Sequence, residues 1–491
     1  MRRNIFLILS TALLALIIVL VIRALLFVNP VLPVSFVDLP AVSSQSVEHL
    51  ADAVKIKTVS PPASPEEMRR QFQQFQTLLE RAYPAVHIHA NKEIINDYSL
   101  LYTLPGTRPE RNPVLILAHQ DVVPVEPGTE NDWQQPPFSG HVDSEYIWGR
   151  GTWDNKGNLM AMMEALELLL QSGFQLERTL MLAFGHDEET GGQQGAMAMA
   201  RLLKERRQHF EFILDEGTTI TRGFFPGMIQ PVAMIAIAEK GYLTLSLTTK
   251  SAGGHSSVPA KITAIGRLVK VVNRLQKQQL PKELSAPARG MLDVIGPAMA
   301  FTQRLVLANL WLFEPLVLQA MAKKPFTNAY IRTTIAPTML SAGVKENVLP
   351  QSAQAIVNFR LLPGQSIEQV IEWVKEIIDD EQVAVVRHGN ASSEPSKISG
   401  LDSLGYQELK RAVHQVFPDT ITVPALLFAA TDSRHYAGLS GQIFRFTPIT
   451  IEPDDLKRIH GTNERIAIKD YQNAVRFYYQ LIKNTVVVKQ P

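Results

Sequence analysis

Val114-Leu115-Ile116-Leu117-Ala118-His119-Gln120-Asp121 runs five apolar residues directly into an imidazole and, two positions on, a carboxylate. An apolar run of this length without alternation reads as a strand covered on both faces, as in a mostly parallel sheet. Thr179–Phe184 and Phe210–Leu214 have the same character. Between the first two runs, Leu159, Met163, Leu166 and Leu170 recur at helical period, with Gly173 placed as a C-cap. Strands alternating with helices predict an α/β sandwich. Around Lys240-Gly241 the pattern changes. Tyr242, Leu243, Leu245 and Leu247 interleave with Thr and Ser, and Ala353–Phe359 alternates again. This reads as antiparallel strands with one face open to water, forming a smaller α+β unit inserted in the larger one.

The reactive groups stand at the ends of the buried runs. The first ends in His119-Gln120-Asp121, the second in Gly185-His186-Asp187-Glu188-Glu189, and the third in Asp215-Glu216-Gly217. A glycine-punctuated turn, Gly149-Arg150-Gly151-Thr152-Trp153-Asp154-Asn155-Lys156-Gly157, adds Asp154 just before the Leu159 helix. Open α/β sheets bind ligands beyond the carboxyl ends of their strands, so these groups converge on one edge. Carboxylates gathered there raise one another's pKa unless a cation sits between them.

Composition narrows the cation. The chain has 491 residues, with 48 basic and 47 acidic side chains, a net charge of +1. That balance excludes a general nucleic-acid binder, which needs a surplus of Lys and Arg. Cysteine is absent, which excludes disulfide scaffolding, cysteine nucleophiles and thiolate metal sites. Any metal is held by His, Asp and Glu, a donor set that suits zinc, with cobalt or manganese as substitutes.

The N-terminus reads as membrane-seeking. Ile5–Ile22 contains only Ser10 and Thr11 as polar members, and Ala24–Val28 continues the apolar run past Arg23. Such a stretch covers the ~30 Å hydrocarbon core, with Arg23 snorkelling at one end. A cleaved signal peptide is the rival, but no small-x-small site follows Val28. Arg2 and Arg3 precede the span and no Lys or Arg follows Arg23 until Lys55, so the N-terminus is expected in the cytoplasm and the rest on the non-cytoplasmic side.

In order, His119-x-Asp121, Asp154-Asn155-Lys156-Gly157, Glu188-Glu189, Asp215-Glu216-Gly217 and His460-Gly461 resemble the motifs of the co-catalytic di-zinc aminoacylase/carboxypeptidase metallopeptidases. Ser251-Ala252-Gly253-Gly254-His255-Ser256-Ser257-Val258-Pro259 resembles the carboxypeptidase S branch, which includes N-fatty-acyl-amino acid synthase/hydrolases. The resemblance spans about residues 45–485. It implies two zinc ions per subunit bridged by Asp154, one completed by His119 and Asp215, the other by Glu189 and His460. It also implies that Asp121 accepts the second ring N–H of His119 and that Glu188 is the general base, an assignment spacing alone leaves open between Glu188 and Glu189. His255 would stabilise the oxyanion, often across a dimer, while Asn347, Arg360 and Arg434 bind substrate. Chemistry alone leaves His255 a turn histidine and the two arginines surface charges. His141, His186, His209 and His435 match no role.

The implied organisation is a signal anchor at 1–28, a linker at 29–45, a mostly parallel α/β catalytic domain at 46–240 and 397–491, and an inserted lid/dimerisation domain at 241–396. The expected activity is cleavage of the amide of a peptide or N-acyl amino acid beside a free carboxylate, with N-fatty-acyl-amino acid hydrolysis or synthesis as the alternative. A catalytically silent, membrane-tethered binding protein is the alternative of another class, and the retained Glu188 argues against it. Partners would be that substrate, the membrane through the N-terminal helix, and a second copy through the inserted domain. The apolar stretch 284–322 is too interrupted by Arg304, Asn309, Glu314 and Pro315 for a second span. It is expected as lid core or dimer interface, with an acyl-chain groove or bilayer contact as the alternatives.

Overall fold

A computed structural model describes residues 2–28, 37–225, 227–389 and 391–487. Of the expected linker, 29–36 lies outside the described residues, and a helix begins at Ser44.

The principal strands, in chain order, are β1 (Asn91–Ile95), β2 (Ser99–Leu104), β3 (Val114–His119), β4 (Leu180–Gly185), β5 (Phe212–Thr221) and β6 (Val232–Glu239). Then come β7 (Gly241–Lys250), β8 (Thr334–Ala342), β9 (Ser352–Leu361), β10 (Val383–Arg387), β11 (Ile421–Leu427) and β12 (Ile443–Ile451). The large sheet has the order β1-β2-β4-β3-β5-β12-β6-β11. Its centre is parallel, through β4–β3, β3–β5 and β5–β12, and β6–β11 is a further parallel pair. β1 and β2 extend it antiparallel. Every residue of β3 and β4 is buried, as unalternating apolar runs require. β7 to β10 form the second sheet, order β8-β9-β7-β10, antiparallel throughout.

The helices used below are α1 (Arg2–Leu26), α2 (Lys156–Gln171), α3 (Ala264–Lys277), α4 (Ala286–Ile295), α5 (Phe301–Ala308), α6 (Leu310–Met321), α7 (Pro325–Ile331), α8 (Ile367–Ile378), α9 (Leu404–Val416) and α10 (Ile468–Thr485). α2 lies in the core with Leu159, Met160, Met163 and Leu166 fully buried, packed against α10. Gly173 follows α2 at φ 74°, the left-handed position that closes a helix without a Cβ penalty. α3 and α8 cover one face of the second sheet around Leu245, Val357 and Phe359.

Two expectations need correction. The third apolar run does not end at Leu214, because β5 continues to Thr221. Asp215 pairs with Arg445 of β12 and Thr218 with the next residue, Phe446, so Glu216 and Gly217 bulge out of the ladder. A bulge re-aims the side chains it carries. The stretch 284–322 is also not lid core. It folds as α4, α5 and α6 and covers the β6–β11 end of the large sheet, burying Met291, Ile295 and Leu310 with Met234 and Val423. The apolar outer side of those strands would otherwise face water.

Gly157 is the second residue of α2, just after the Asp154 turn, and a Cβ there would fall 2.0 Å from the Thr152 carbonyl oxygen. Gly157→Ala is therefore expected to lower stability by about 1–3 kcal/mol, the cost of overpacking, measured by urea unfolding. An unchanged midpoint would mean the turn is not held as described.

Candidate active site

β4, β3 and β5 lie side by side and parallel, so their C-terminal ends deliver polar groups to one edge of the sheet. His119 ends β3 and is buried. Its Nδ1 lies 2.9 Å from the Asp121 carbonyl oxygen and 3.2 Å from Asp121 Oδ1. This fixes the ring and turns Nε2 toward Asp154 Oδ1 at 3.0 Å and Glu216 Oε1 at 3.1 Å. Across the centre, His460 Nε2 lies 3.1 Å from Asp154 Oδ2 and 3.4 Å from Glu189 Oε2. Asp154 thus meets one imidazole with each oxygen. Asp121 also accepts the backbone N–H groups of Glu188 and Glu189, both at 3.2 Å, which fixes the turn after β4 relative to His119.

Electrostatics show what this arrangement demands. Burial drives the Glu188 carboxyl well above the usual carboxylate range, with Asp432, Glu216 and Glu189 adding repulsion against the pull of His119. Glu216 is pushed up to about 7 by burial and then by Asp154. Burial would raise Asp154 as well, but hydrogen bonds from His119 and His460 hold it below its ordinary value. Hydrogen bonds donated by His460 to Asp154 and Glu189 lift its own imidazole to about 10. The cluster must take up protons or a cation. One ligand atom each from His119, Asp154 and Glu189 lies within 4.8 Å of the others, as do atoms of His119, Glu188 and Glu216. Among the described residues, Glu189 Oε1 is buried without a hydrogen-bond partner. Two overlapping groups of imidazole and carboxylate, with an oxygen left unpaired, fit a metal site.

The expectation for Asp215 changes on this geometry. Its Oδ1 accepts the N–H of Glu216 at 2.9 Å and its Oδ2 the N–H of Ser433 at 2.7 Å. The bulge in β5 instead brings Glu216 to His119, and Asn155 Nδ2 donates to its other oxygen. Motif reading passes over Glu216 in favour of its neighbour; the glycine beside it is the available sign of a bulge. Asp215 serves the next loop. Ser433 Oγ in turn accepts from Arg445 Nε at 2.9 Å, and Arg445 pairs with Glu239 at 3.2 Å. This buried set holds the segment that bears Arg434.

A second buried pair holds the turn carrying Asp154 to the loop carrying His460. Glu464 Oε1 accepts the N–H groups of Gly151, Trp153 and Asp154 at 2.8, 3.0 and 3.3 Å. Its Oε2 meets Arg150 Nη1 at 2.6 Å, and Arg150 Nη2 donates to the carbonyls of His460 and Gly461, both at 3.1 Å. His460 has a left-handed φ of 57°, a conformation that persists in a non-glycine residue only when its surroundings impose it.

Next to the cluster opens a cleft of about 930 Å³ lined by Glu188, Glu189, His460, Tyr242, Arg360 and Arg434 among others. The Arg360 guanidinium stacks 4.6 Å above the Tyr242 ring, and Arg434 Nη2 donates to the Gly191 carbonyl at 3.0 Å. His255 and Asn347 are brought together on two short paired segments, with Ser256 N–H donating to Asn347 O at 3.1 Å. Both are exposed and neither lines the cleft. His186 bonds Ser99 inside the fold, His435 contacts the Gly191 carbonyl, and His141 and His209 face solvent.

The chain is similar to known proteins over most of its length. Residues 115–484 match the profile of Peptidase family M20/M25/M40. Probable carboxypeptidase S-like 2 of Dictyostelium discoideum is 40% identical over 442 residues, 89% of this chain and 84% of that protein. The N-fatty-acyl-amino acid synthase/hydrolase PM20D1 of Mus musculus is 40% identical over 451 residues, 90% and 88% of the two chains. Among solved structures, the M20 family metallo-carboxypeptidase Sso-CP2 from Sulfolobus solfataricus superposes with a TM-score of 0.65 at 18% identity, covering 89% of this chain and 98% of that one.

Arg150 and Glu464 are 2% and 1% exposed, so removing one partner strands the other's charge. Glu464→Ala is expected to lower stability by about 3–5 kcal/mol, read from denaturant midpoints. A loss within experimental scatter would contradict the role given to the pair.

Proposed function

The chain belongs to peptidase family M20/M25/M40 and is a metallohydrolase of amide bonds, and from that premise we propose that it is a di-zinc enzyme cleaving small peptides or N-acyl amino acids beside a free α-carboxylate. The observation that carries the reading is one cleft that joins an imidazole–carboxylate cluster to two guanidinium groups. Asp154 would be shared by the two metal sites, with His119 and Glu216 holding one ion and Glu189 and His460 the other. Zinc bound there supplies Lewis-acid polarisation of the scissile carbonyl and water acidic enough to ionise near neutral pH. Cobalt or manganese would substitute.

The chain's own groups do the rest. Asp121 orients His119 and, through the backbone, the Glu188–Glu189 turn. Glu188, buried beside the cluster, takes the proton of the attacking water and returns it to the departing nitrogen. Arg434 offers the substrate carboxylate a bidentate fork, and Arg360, held flat on Tyr242, adds a second cation at the same wall. His255 and Asn347, exposed and outside their own cleft, fit donation to the cleft of a second copy, with His255 stabilising the oxyanion. On this reading the second sheet with α3 and α8, within residues 241–396, forms the inserted lid and dimerisation domain between catalytic parts 46–240 and 397–491, while 284–322 is seated on the catalytic sheet.

α1 is the membrane anchor of this reading. It is 25 residues long, and its most apolar 18-residue stretch is unburied. With Arg2 and Arg3 in its first turn, the N-terminus faces the cytoplasm and the catalytic domain the other side. A second substrate reading, N-fatty-acyl amino acids with synthesis as the reverse reaction, is favoured by the 40% identity to the mouse relative of that name.

Glu188→Gln is expected to lower kcat by about 10²–10⁴-fold while zinc content, measured by elemental analysis, stays unchanged. Full activity in a zinc-loaded variant would overturn the mechanism. Chelation is expected to abolish turnover and added zinc to restore it; turnover that survives complete metal removal would contradict the metal requirement. Turnover of an oleoyl-amino acid but not of a Gly-Leu-type dipeptide would select the second substrate reading.

A further inference from the structure

α5 and α6 use only one side on the large sheet. Their other side leaves Phe301, Trp311, Leu312 and Leu316 exposed, with Trp311 58% and Leu316 56% accessible. On α6 these belong to one face: Trp311, Leu312 and Leu316 are all exposed, while Val317 and Leu318 are buried. A free apolar face by itself names no occupant, but α1 does. Leu16, Leu20, Ala24 and Phe27, spaced along one face of α1 and its C-terminal extension, are partly or fully buried, as is the neighbouring Val21, and α1 packs on α5. The remaining sides of those same turns, Ile17, Ile18, Ile22 and Leu25, stay exposed. The free faces of α1 and of the α5–α6 hairpin therefore belong to one packed unit. A medium that covers the anchor up to its last turns reaches the hairpin too.

The polar groups of this seam are arranged for a place without water. α5 and α6 meet at an angle of 116°. Such a bend frees backbone groups that need partners at membrane depth. The fully buried Asn309 sits at the bend. Its Nδ2 donates to Leu20 O at 3.0 Å and to Leu305 O at 2.9 Å, and its Oδ1 accepts from Trp311 Nε1 at 3.3 Å. Arg23 Nε donates to the Ala308 carbonyl at the end of α5, at 3.2 Å. Glu314, one of the two charged residues between 296 and 322, pairs with Arg289 at 2.7 Å, and the other, Arg304, lies 5.7 Å from the Phe301 ring. With 8 and 12 residues, the two helices are about 12 and 18 Å long, too short to span and suited to lying in the interface.

The geometry points to a second membrane contact: the α5–α6 hairpin lies in the interfacial layer of the lipid bilayer beside α1, through Trp311, Leu312 and Leu316, and fixes the catalytic domain against the membrane. This rests on the reading of α1 as an anchor. Because the chain has no cysteine, single fluorophores can be placed at Leu312→Cys, Leu316→Cys, Leu9→Cys within α1 and Val344→Cys in an exposed loop. Each full-length variant, checked for retained hydrolase activity, is reconstituted in vesicles containing lipids spin-labelled either near the headgroup or deep in the acyl chain. Labels at 312 and 316 are expected to lose emission to the shallow quencher, the label at 9 to the deep one, and the label at 344 to neither. Labels at 312 and 316 as bright as that at 344, with the label at 9 quenched, would overturn the proposal and leave the anchor standing. An unquenched label at 9 would overturn the anchor and the proposal together. Labels at 312 and 316 shielded from aqueous quenchers but untouched by lipid ones would put a second copy on this face and also overturn it.

Discussion

Negative charge buried at one sheet edge is the constraint on which the rest of the structure depends. Asp154, Glu188, Glu189 and Glu216 converge within reach of His119 and His460, with Asp121, Asp215 and Asp432 close behind. In a low-dielectric setting such a group is costly unless cations neutralise it. The surroundings are built to hold the carboxylates together rather than to relieve them. Asp121 fixes the turn after β4 through two backbone N–H groups, Glu464 fixes the turn before α2 through three, and Arg150 fixes the His460 loop from the other side. A scaffold that holds acids against their own repulsion is a scaffold prepared for metal.

Much of this is legible from the chain alone. The unalternating runs at 114–118 and, from Leu180 on, 179–184 become fully buried parallel strands because such runs have no polar side to offer water. The acids and imidazole beyond them converge because parallel strands end on the same edge. Asp215 and Glu216 are not separable in the same way. The period-two rule holds for a regular ladder, and here two residues are looped out opposite Arg445 and Phe446. The clasp of Arg150 on Glu464 is invisible too, since its partners stand 314 positions apart and only the closed fold brings them together. His255 and Asn347 lie next to each other, exposed and away from the cleft.

The apolar residues sort into three uses. Those of β3, β4 and α2 make the catalytic core; those of β7, β9, α3 and α8 make the core of the second sheet. Those of 286–321 divide by side, one covering β6 and β11 and the other left free next to the last turns of α1. Sequence patterning places this last stretch in the lid because it lies within the inserted span. Its partner is instead the exposed side of two strands at the end of the large sheet, which no local pattern announces.

The central claim is that the buried carboxylates form a two-metal site in which Glu216, delivered by a bulge, is a ligand while Asp215 is a support for the Arg434 loop. Metal content by elemental analysis after zinc saturation and gel filtration tests it most directly, on the wild type beside Glu216→Gln and Asp215→Asn. Two zinc ions per chain are expected for the wild type and for Asp215→Asn, with the loss of one in Glu216→Gln. A wild type that binds none, or an Asp215→Asn protein that loses zinc while Glu216→Gln keeps both ions, would contradict the account.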